Sequence, residues 1–321
     1  ELYRSTLGDD YIVEPWLTLD ATYVMENGQR WGIPVALGEK PAGGGAAAFH
    51  PSLVEEDISC LRAAPYEVNE EDTARRAEKL SEALGGAMRV FVSRQGPYSM
   101  WSGDISTDLA KMRGLEQLMW DTYDNPEWLH TLLAFMRDAI LANLEQAEKA
   151  GGFSLADHQN QCMPYCQELG DPDPDVTGVS MKQMWRFMAA QEFTSVGPDM
   201  YWEFILQYQK PILEKFGLTA NGCCENLAQF IPCLRRVPNL RRIAVSPFAD
   251  PRKCAEQIGK DYILSWRPSP SLMLATGLDE DFVRKYMQEH FAIFKENGNF
   301  FDITLKDVET VHHQPENVRR W

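Results

Sequence analysis

The sequence predicts an α/β protein built as a (β/α)8 TIM barrel, on three observations. From residue 87 onward short apolar runs alternate with segments of helical periodicity, and strands joined by helices pair in parallel through right-handed crossovers. Six strand-like segments follow residue 87, counting those at 87 and 153, and one or two more are expected in the N-terminal part or in a segment preceding it. No Gly-x-Gly-x-x-Gly turn follows any strand-like run, which argues against a Rossmann sheet. The 321 residues read as a single barrel domain, irregular over 1–86 and alternating over 87–321. The pattern begins at once at Glu1, so an N-terminal segment is expected to precede it.

Taken in order, "YIVEPWLTL" (11–19) and "TYVMEN" (22–27) read as extended, and "EKPAGGGAAAFHPS" (39–52) as a loop. Its glycines are not a phosphate-binding loop, because no Gly-Lys-Ser/Thr follows. Residues 70–84 form an amphipathic helix, "AMRVFVS" (87–93) a strand, and 105–123 a helical stretch. Asn125-Pro126-Glu127 starts the next helix with a cap, a first-turn proline and an acid facing the macrodipole. Leu129, Leu132, Leu133, Met136, Ile140 and Leu144 continue it at helical spacing until Gly151 and Gly152. "FSLAD" (153–157) is the next strand. Ser180 and Gln183 make a capping-box pattern before Met184, Trp185 and Met188, and a helix over 198–216 is bent at Pro211. Four apolar runs follow at 218–223, 241–246, 262–266 and 300–305, with a helix at 280–296 before the last.

With 47 acidic and 31 basic residues the formal charge is −16, which disfavours nucleic acid or an anionic membrane as partner. No run of about 18 apolar residues is present, so nothing reads as membrane-spanning. The seven cysteines are odd in number and irregularly spaced, and a reduced, cytoplasmic protein is expected.

In a barrel, function belongs at the C-terminal ends of the strands. Those ends carry Arg94 and Gln95; Asp157, His158, Gln159 and Asn160; Cys223, Cys224 and Glu225; Ser246 and Asp250; Trp266 and Arg267; and Lys306, Asp307 and Glu309. Cys223 and Cys224 precede a helix that starts near Glu225 or Asn226. A helix N-terminus favours thiolate, the form that binds zinc or attacks an electrophile. Strand alternation sends neighbours to opposite faces, so at most one of the pair is expected in the mouth, and the plainer alternative is two small buried residues. His158 with Cys162 and Cys166 has the spacing of one helical face, but Pro164 breaks such a helix, which favours a binding loop over a zinc site. Trp266-Arg267, stiffened by Pro268 and Pro270, suits an organic anion with an apolar body, or else Arg267 pairs with a carboxylate such as Asp307. Lys306 would lower the pKa of a bound acid or thiol, and Asp307 would serve as base, ligand or counter-ion. Which of them faces inward depends on the register.

The order of "RVFVSRQGPYSMW" (89–101), "DNPEWLHTLLAFMRDAILANLEQAEKAGG" (124–152), "GCCENLAQFIPCLRRVPNLRRIAVSPFAD" (222–250) and "ITLKDVETV" (303–311) resembles the uroporphyrinogen decarboxylase superfamily. The resemblance implies a (β/α)8 barrel and one of two chemistries. One is cofactor-free decarboxylation of uroporphyrinogen acetate arms. The other is zinc-dependent methyl transfer with corrinoid proteins and thiol, folate or methoxylated substrates. The Arg-Gln-Ala-Gly-Arg-Tyr-type segment of the decarboxylases is not found, and "SRQG" at 93–96 lies elsewhere in the order. The resemblance is therefore nearer the methyltransferase branch, whose zinc is held by a His-x-Cys and a late Cys. Cys224 matches the Cys of that pair, Gly222 stands at the His, and Lys306-Asp307 lie near the late Cys. Replacement ligands would come from Cys223, Glu225 or His158. The expectation is an enzyme that moves a methyl group on a small organic substrate, with metal at Cys223, Cys224 and Glu225. Lys306 and Asp307 would be catalytic, and Trp266, Arg267, His158, Asn160 and Gln95 would surround the substrate. A non-catalytic small-molecule-binding barrel and a porphyrinogen-type decarboxylase are the alternatives.

Overall fold

The strands of the computed structural model are β1 (Trp16–Asp20), β2 (Ala36–Leu37), β3 (Phe49–His50), β4 (Arg89–Ser93), β5 (Trp185–Met188), β6 (Leu218–Asn221), β7 (Leu240–Val245), β8 (Ile263–Trp266) and β9 (Phe300–Ile303). Residues 3–40, 47–54, 56–157, 163–275, 277–306, 308, 310–311 and 313–321 are described. β1 and β4 pair in parallel, β2 and β3 form a short antiparallel ladder, and β5 to β9 make a five-stranded sheet, sequential and parallel throughout. The helices are α1 (Glu70–Leu84), α2 (Ser106–Arg113), α3 (Leu115–Asp124), α4 (Pro126–Lys149), α5 (Pro198–Tyr201), α6 (Gln207–Leu213), α7 (Ile231–Leu234), α8 (Pro251–Ile258), α9 (Glu280–Glu296) and α10 (Glu316–Arg320). The architecture is mixed α/β, and no closed barrel is seen among the described residues. No helix among them is long and apolar enough to cross a membrane.

The long periodic helices α1, α4 and α9 and the strands β6 to β9 lie where the sequence places them. Four expectations are corrected. The segment 153–157 is a turn: Asp157 Oδ2 accepts from the Ser154 N–H at 2.9 Å, and Ser154 makes a single antiparallel bridge to Thr177. A carboxylate three residues downstream gives the backbone a local partner in place of a strand ladder. Ser180 and Gln183 enclose only the 3-10 turn Met181–Gln183, after which the chain extends into β5. All four residues of β5 are buried, which removes the alternation that marks a strand in sequence. The stretch at 105–123 splits into α2 and α3 at Gly114, whose φ of 81° no helix continues through. The 198–216 helix is interrupted by a π-helical turn at Trp202–Leu206, and Pro211 sits inside α6.

The sheet separates two environments. On its helix side, Ile243 and Val245 of β7 and Leu264 and Trp266 of β8 join Leu132, Met136 and Ile140 of α4 and Phe294 of α9 in the main core. Each such side chain contributes about 1.5–3 kcal/mol by burial. The opposite face carries Trp185 and Phe187 of β5 with Leu218 and Ala220 of β6. There Arg242 donates to both oxygens of Asp302, at 2.8 and 2.6 Å, tying β7 to β9 across β8. The strand ends above this second face position the candidate site.

Candidate functional site

β6 ends at Asn221 and the chain turns at Gly222, whose φ of 97° lies in the left-handed region. A Cβ there would collide with Leu227 Cδ1 and come within 3.1 Å of Ala244 Cβ, so this turn admits only glycine. Glu225 holds it closed. One carboxylate oxygen accepts from the Ala190 N–H at 3.0 Å and the other from the Cys223 N–H at 2.6 Å. The carboxylate thus anchors the turn to the end of β5 and spends both oxygens on backbone. The expected helix start is weaker than the sequence suggests: a 3-10 turn at Leu227–Gln229 precedes the four-residue α7. Little macrodipole is therefore available to the thiols.

Their electrostatic partner comes from the other end of the sheet. Thr304 N–H donates to Trp266 O at 2.9 Å, extending the β8–β9 ladder. Leu305 then packs into the cluster of Met273, Leu274 and Val283, and Lys306 turns toward the cysteines. Lys306 Nζ lies 2.9 Å from Cys223 Sγ and 3.4 Å from Cys224 Sγ, and the two sulfurs are 3.4 Å apart. Both cysteines face Lys306, against the expectation that alternation would separate them, because they sit in a turn rather than on a strand. Cys223 is only 6% exposed, against Met163, Phe187 and Ala220, and Cys224 is half-buried beside the same apolar cluster. Burial pushes the Cys223 thiol up to about 11, while the Lys306 hydrogen bond and charge pull it down and Cys224 pushes it up.

Arg267 enters the same cluster. Its N–H donates to Val245 O at 2.9 Å, continuing the ladder beyond β8, and its guanidinium NH1 donates to Cys223 O at 2.9 Å. Trp266 faces the other way. Its ring stacks on His290 at 4.5 Å and Tyr286 at 5.8 Å and meets Phe294 edge-on, so it belongs to the helix-side core and not to the cluster of Cys223. Gln95 lies at the end of β4, where its Nε2 donates to Ser93 Oγ at 3.4 Å. That end holds a separate polar group: Asp157, 7% exposed, is hydrogen-bonded by the Ser93 side chain, and burial lifts its carboxyl to about 6. Asp157 stood in the strand-end list, but nothing in its sequence neighbourhood announced a perturbed carboxyl. His158, Asn160 and Asp307 lie outside the described residues.

The donors fit the expected zinc centre poorly. Among the described residues no three His, Cys, Asp or Glu side chains converge to hold a metal. An ammonium sits on the two thiols, Glu225 is committed to two backbone N–H groups, and the Gly222 backbone has no room for the histidine of the His-x-Cys pattern. What the cluster can do is hold a thiolate beside a cation. No family model matches the chain, and no curated protein or solved structure is detectably similar to it.

Proposed function

We propose that the chain is a (β/α)8 enzyme of the uroporphyrinogen decarboxylase superfamily, on its methyltransferase side, acting on a small organic substrate through Cys223, Cys224 and Lys306. The observation that carries this reading is the lysine ammonium 2.9 Å from one sulfur of a vicinal pair and 3.4 Å from the other. What supports the barrel reading is parallel pairing: β1 pairs with β4, and β5 to β9 pair in chain order in a five-stranded sheet. Trp16 of β1 and Phe91 of β4 pack with Ala156 of the turn at 153–157, which brings that turn beside the β1–β4 pair.

A buried neutral thiol is a weak nucleophile, and an adjacent ammonium stabilises the thiolate once it forms. Cys224, the more exposed of the two, is the sulfur that meets substrate. In methyl transfer its thiolate attacks the methyl carbon of an O-methylated substrate, and the S–C bond forms as the C–O bond breaks. The oxyanion released takes a proton from Lys306, and the methyl is left on Cys224 as a thioether. A corrinoid protein is the methyl-carrying partner that the resemblance implies. The described donors do not complete a zinc set, so no step is assigned to a metal.

The upward shift of Cys223 favours a second reading, a barrel that binds a small molecule without turnover. Methyl 4-nitrobenzenesulfonate, with the methylated cysteines mapped by mass spectrometry, separates the two. Exposed Cys60 is the internal reference. A catalytic pair methylates at Cys224 about tenfold faster than at Cys60. Equal or faster methylation of Cys60 overturns the enzyme reading in favour of the binding barrel.

A further inference from the structure

Arg267 is a charged group buried without a counter-charge among the described residues. Its side chain is 2% exposed, NH1 donates to Cys223 O, and Nε is buried with no hydrogen-bond partner. No carboxylate lies within ion-pairing distance of it among the described residues. Two other buried arginines are ion-paired. Arg113 donates to both oxygens of Asp121 at 2.6 and 2.9 Å, and Arg242 does the same to Asp302. Arg186 likewise has no salt bridge among the described residues and a buried Nε without a partner, but its NH2 donates to Tyr98 O and Gly103 O and it feels the charge of Asp104.

An unpaired buried cation is among the most expensive arrangements a fold can hold, so such a group is ordinarily matched by an anion. Ser265, two residues earlier on the same face of β8, adds a buried hydroxyl without a partner. Lys306 brings a second cation to Cys223, and Glu225 is already spent on backbone. Beside this pair of cations the wall is apolar, formed by Met163, Phe187 and Ala189, with Trp101 edge-on to Phe187 at 4.5 Å.

We infer that the cluster binds the carboxylate of an organic acid on the Arg267 guanidinium, with the apolar body of that acid against Phe187 and Trp101. The inference rests on the reading of Cys223, Cys224 and Lys306 as the substrate site, and it narrows the substrate to a carboxylic acid with a flat or apolar body. The fork of the guanidinium suits a planar carboxylate, and the apolar wall beside it suits the body of an organic acid rather than a bare phosphate.

The test pairs benzoate and 3-phenylpropionate with the amides of the same shape, using calorimetry and protection of Cys224 from iodoacetamide. In the wild-type protein an acid is expected to bind about tenfold more tightly than its amide and to slow alkylation of Cys224. Arg267→Gln is expected to bring acid and amide within about twofold of each other, and Arg267→Lys to restore part of the preference. The wild-type comparison stands by itself if Arg267→Gln does not fold. Equal binding of acid and amide, or binding of inorganic phosphate with no response to either acid, overturns the inference. Those outcomes leave the methylation rate of Cys224 untouched, whereas a slow Cys224 with an intact acid preference defeats the catalytic reading alone.

Discussion

Lys306 Nζ and Cys223 Sγ are 2.9 Å apart although 83 residues separate them in the chain. The contact exists because two strand ends of one parallel sheet open onto the same side. β6 delivers the cysteines through a glycine turn, and β9 delivers the lysine through a one-residue alternation past Leu305.

The glycine turn is the most exposed point of this arrangement to mutation. Gly222→Ala places a Cβ on a backbone with φ of 97° and against Leu227, and the two penalties together are expected to cost roughly 3 kcal/mol. Urea unfolding monitored by tryptophan fluorescence measures it. A loss below about 0.5 kcal/mol would show that the turn tolerates a side chain and that its glycine carries no constraint.

Glu225→Gln tests the anchoring role assigned to the carboxylate. Glutamine offers one acceptor oxygen where two backbone N–H groups, of Ala190 and Cys223, now donate. One of them would face an amide NH2, at a cost of about 2 kcal/mol. Were Glu225 instead a free acidic ligand, its removal would leave denaturant stability unchanged or raised.

Trp266→Ala should behave as a core truncation. Its indole is packed by Tyr286, His290 and Phe294, so a loss of about 3–5 kcal/mol is expected. Below the lowered melting temperature, the methylation rate of Cys224 should stay within about twofold of wild type, since the ring is on the far side of the sheet. A selective fall in that rate with little loss of stability would return Trp266 to the substrate site.

Asp157 makes stability depend on pH. Its folded carboxyl is raised from 3.8 to about 6, so the protonated form is favoured in the fold. The stability it contributes is fully present below about pH 4 and is lost as pH rises to about 6, up to roughly 3 kcal/mol. Asp157→Asn keeps the acceptor for the Ser154 N–H and removes the charge. The variant is expected to melt higher than wild type above pH 6 and to lack the decline between pH 4 and 6. Parallel melting curves across that range would contradict the shift.

The sequence carried the parallel α/β pattern, the helices at Glu70–Leu84 and Glu280–Glu296 and the strand ends that hold Cys224, Arg267 and Lys306. It did not carry β5, since four residues buried on both faces show no period. It did not carry the turn at 153–157 either, where a local side-chain acceptor outcompetes a ladder. The opposite orientations of Trp266 and Arg267 follow from strand alternation, yet the face that each takes is set by the register of β8 between β7 and β9. Both cysteines reach Lys306 for the reverse reason, since a turn releases them from alternation.

The central claim is that Lys306 tunes the vicinal thiols, and the pH–rate profile of cysteine alkylation in wild type and Lys306→Met tests it most directly. Iodoacetamide is used between pH 6 and 11, with each cysteine resolved by mass spectrometry. Burial holds Cys223 near 11 even with the ammonium beside it. Removing that ammonium is expected to move the Cys223 profile to still higher pH and to slow its alkylation about tenfold at pH 8, with Cys60 unchanged. Superimposable Cys223 profiles in the two proteins would contradict the account.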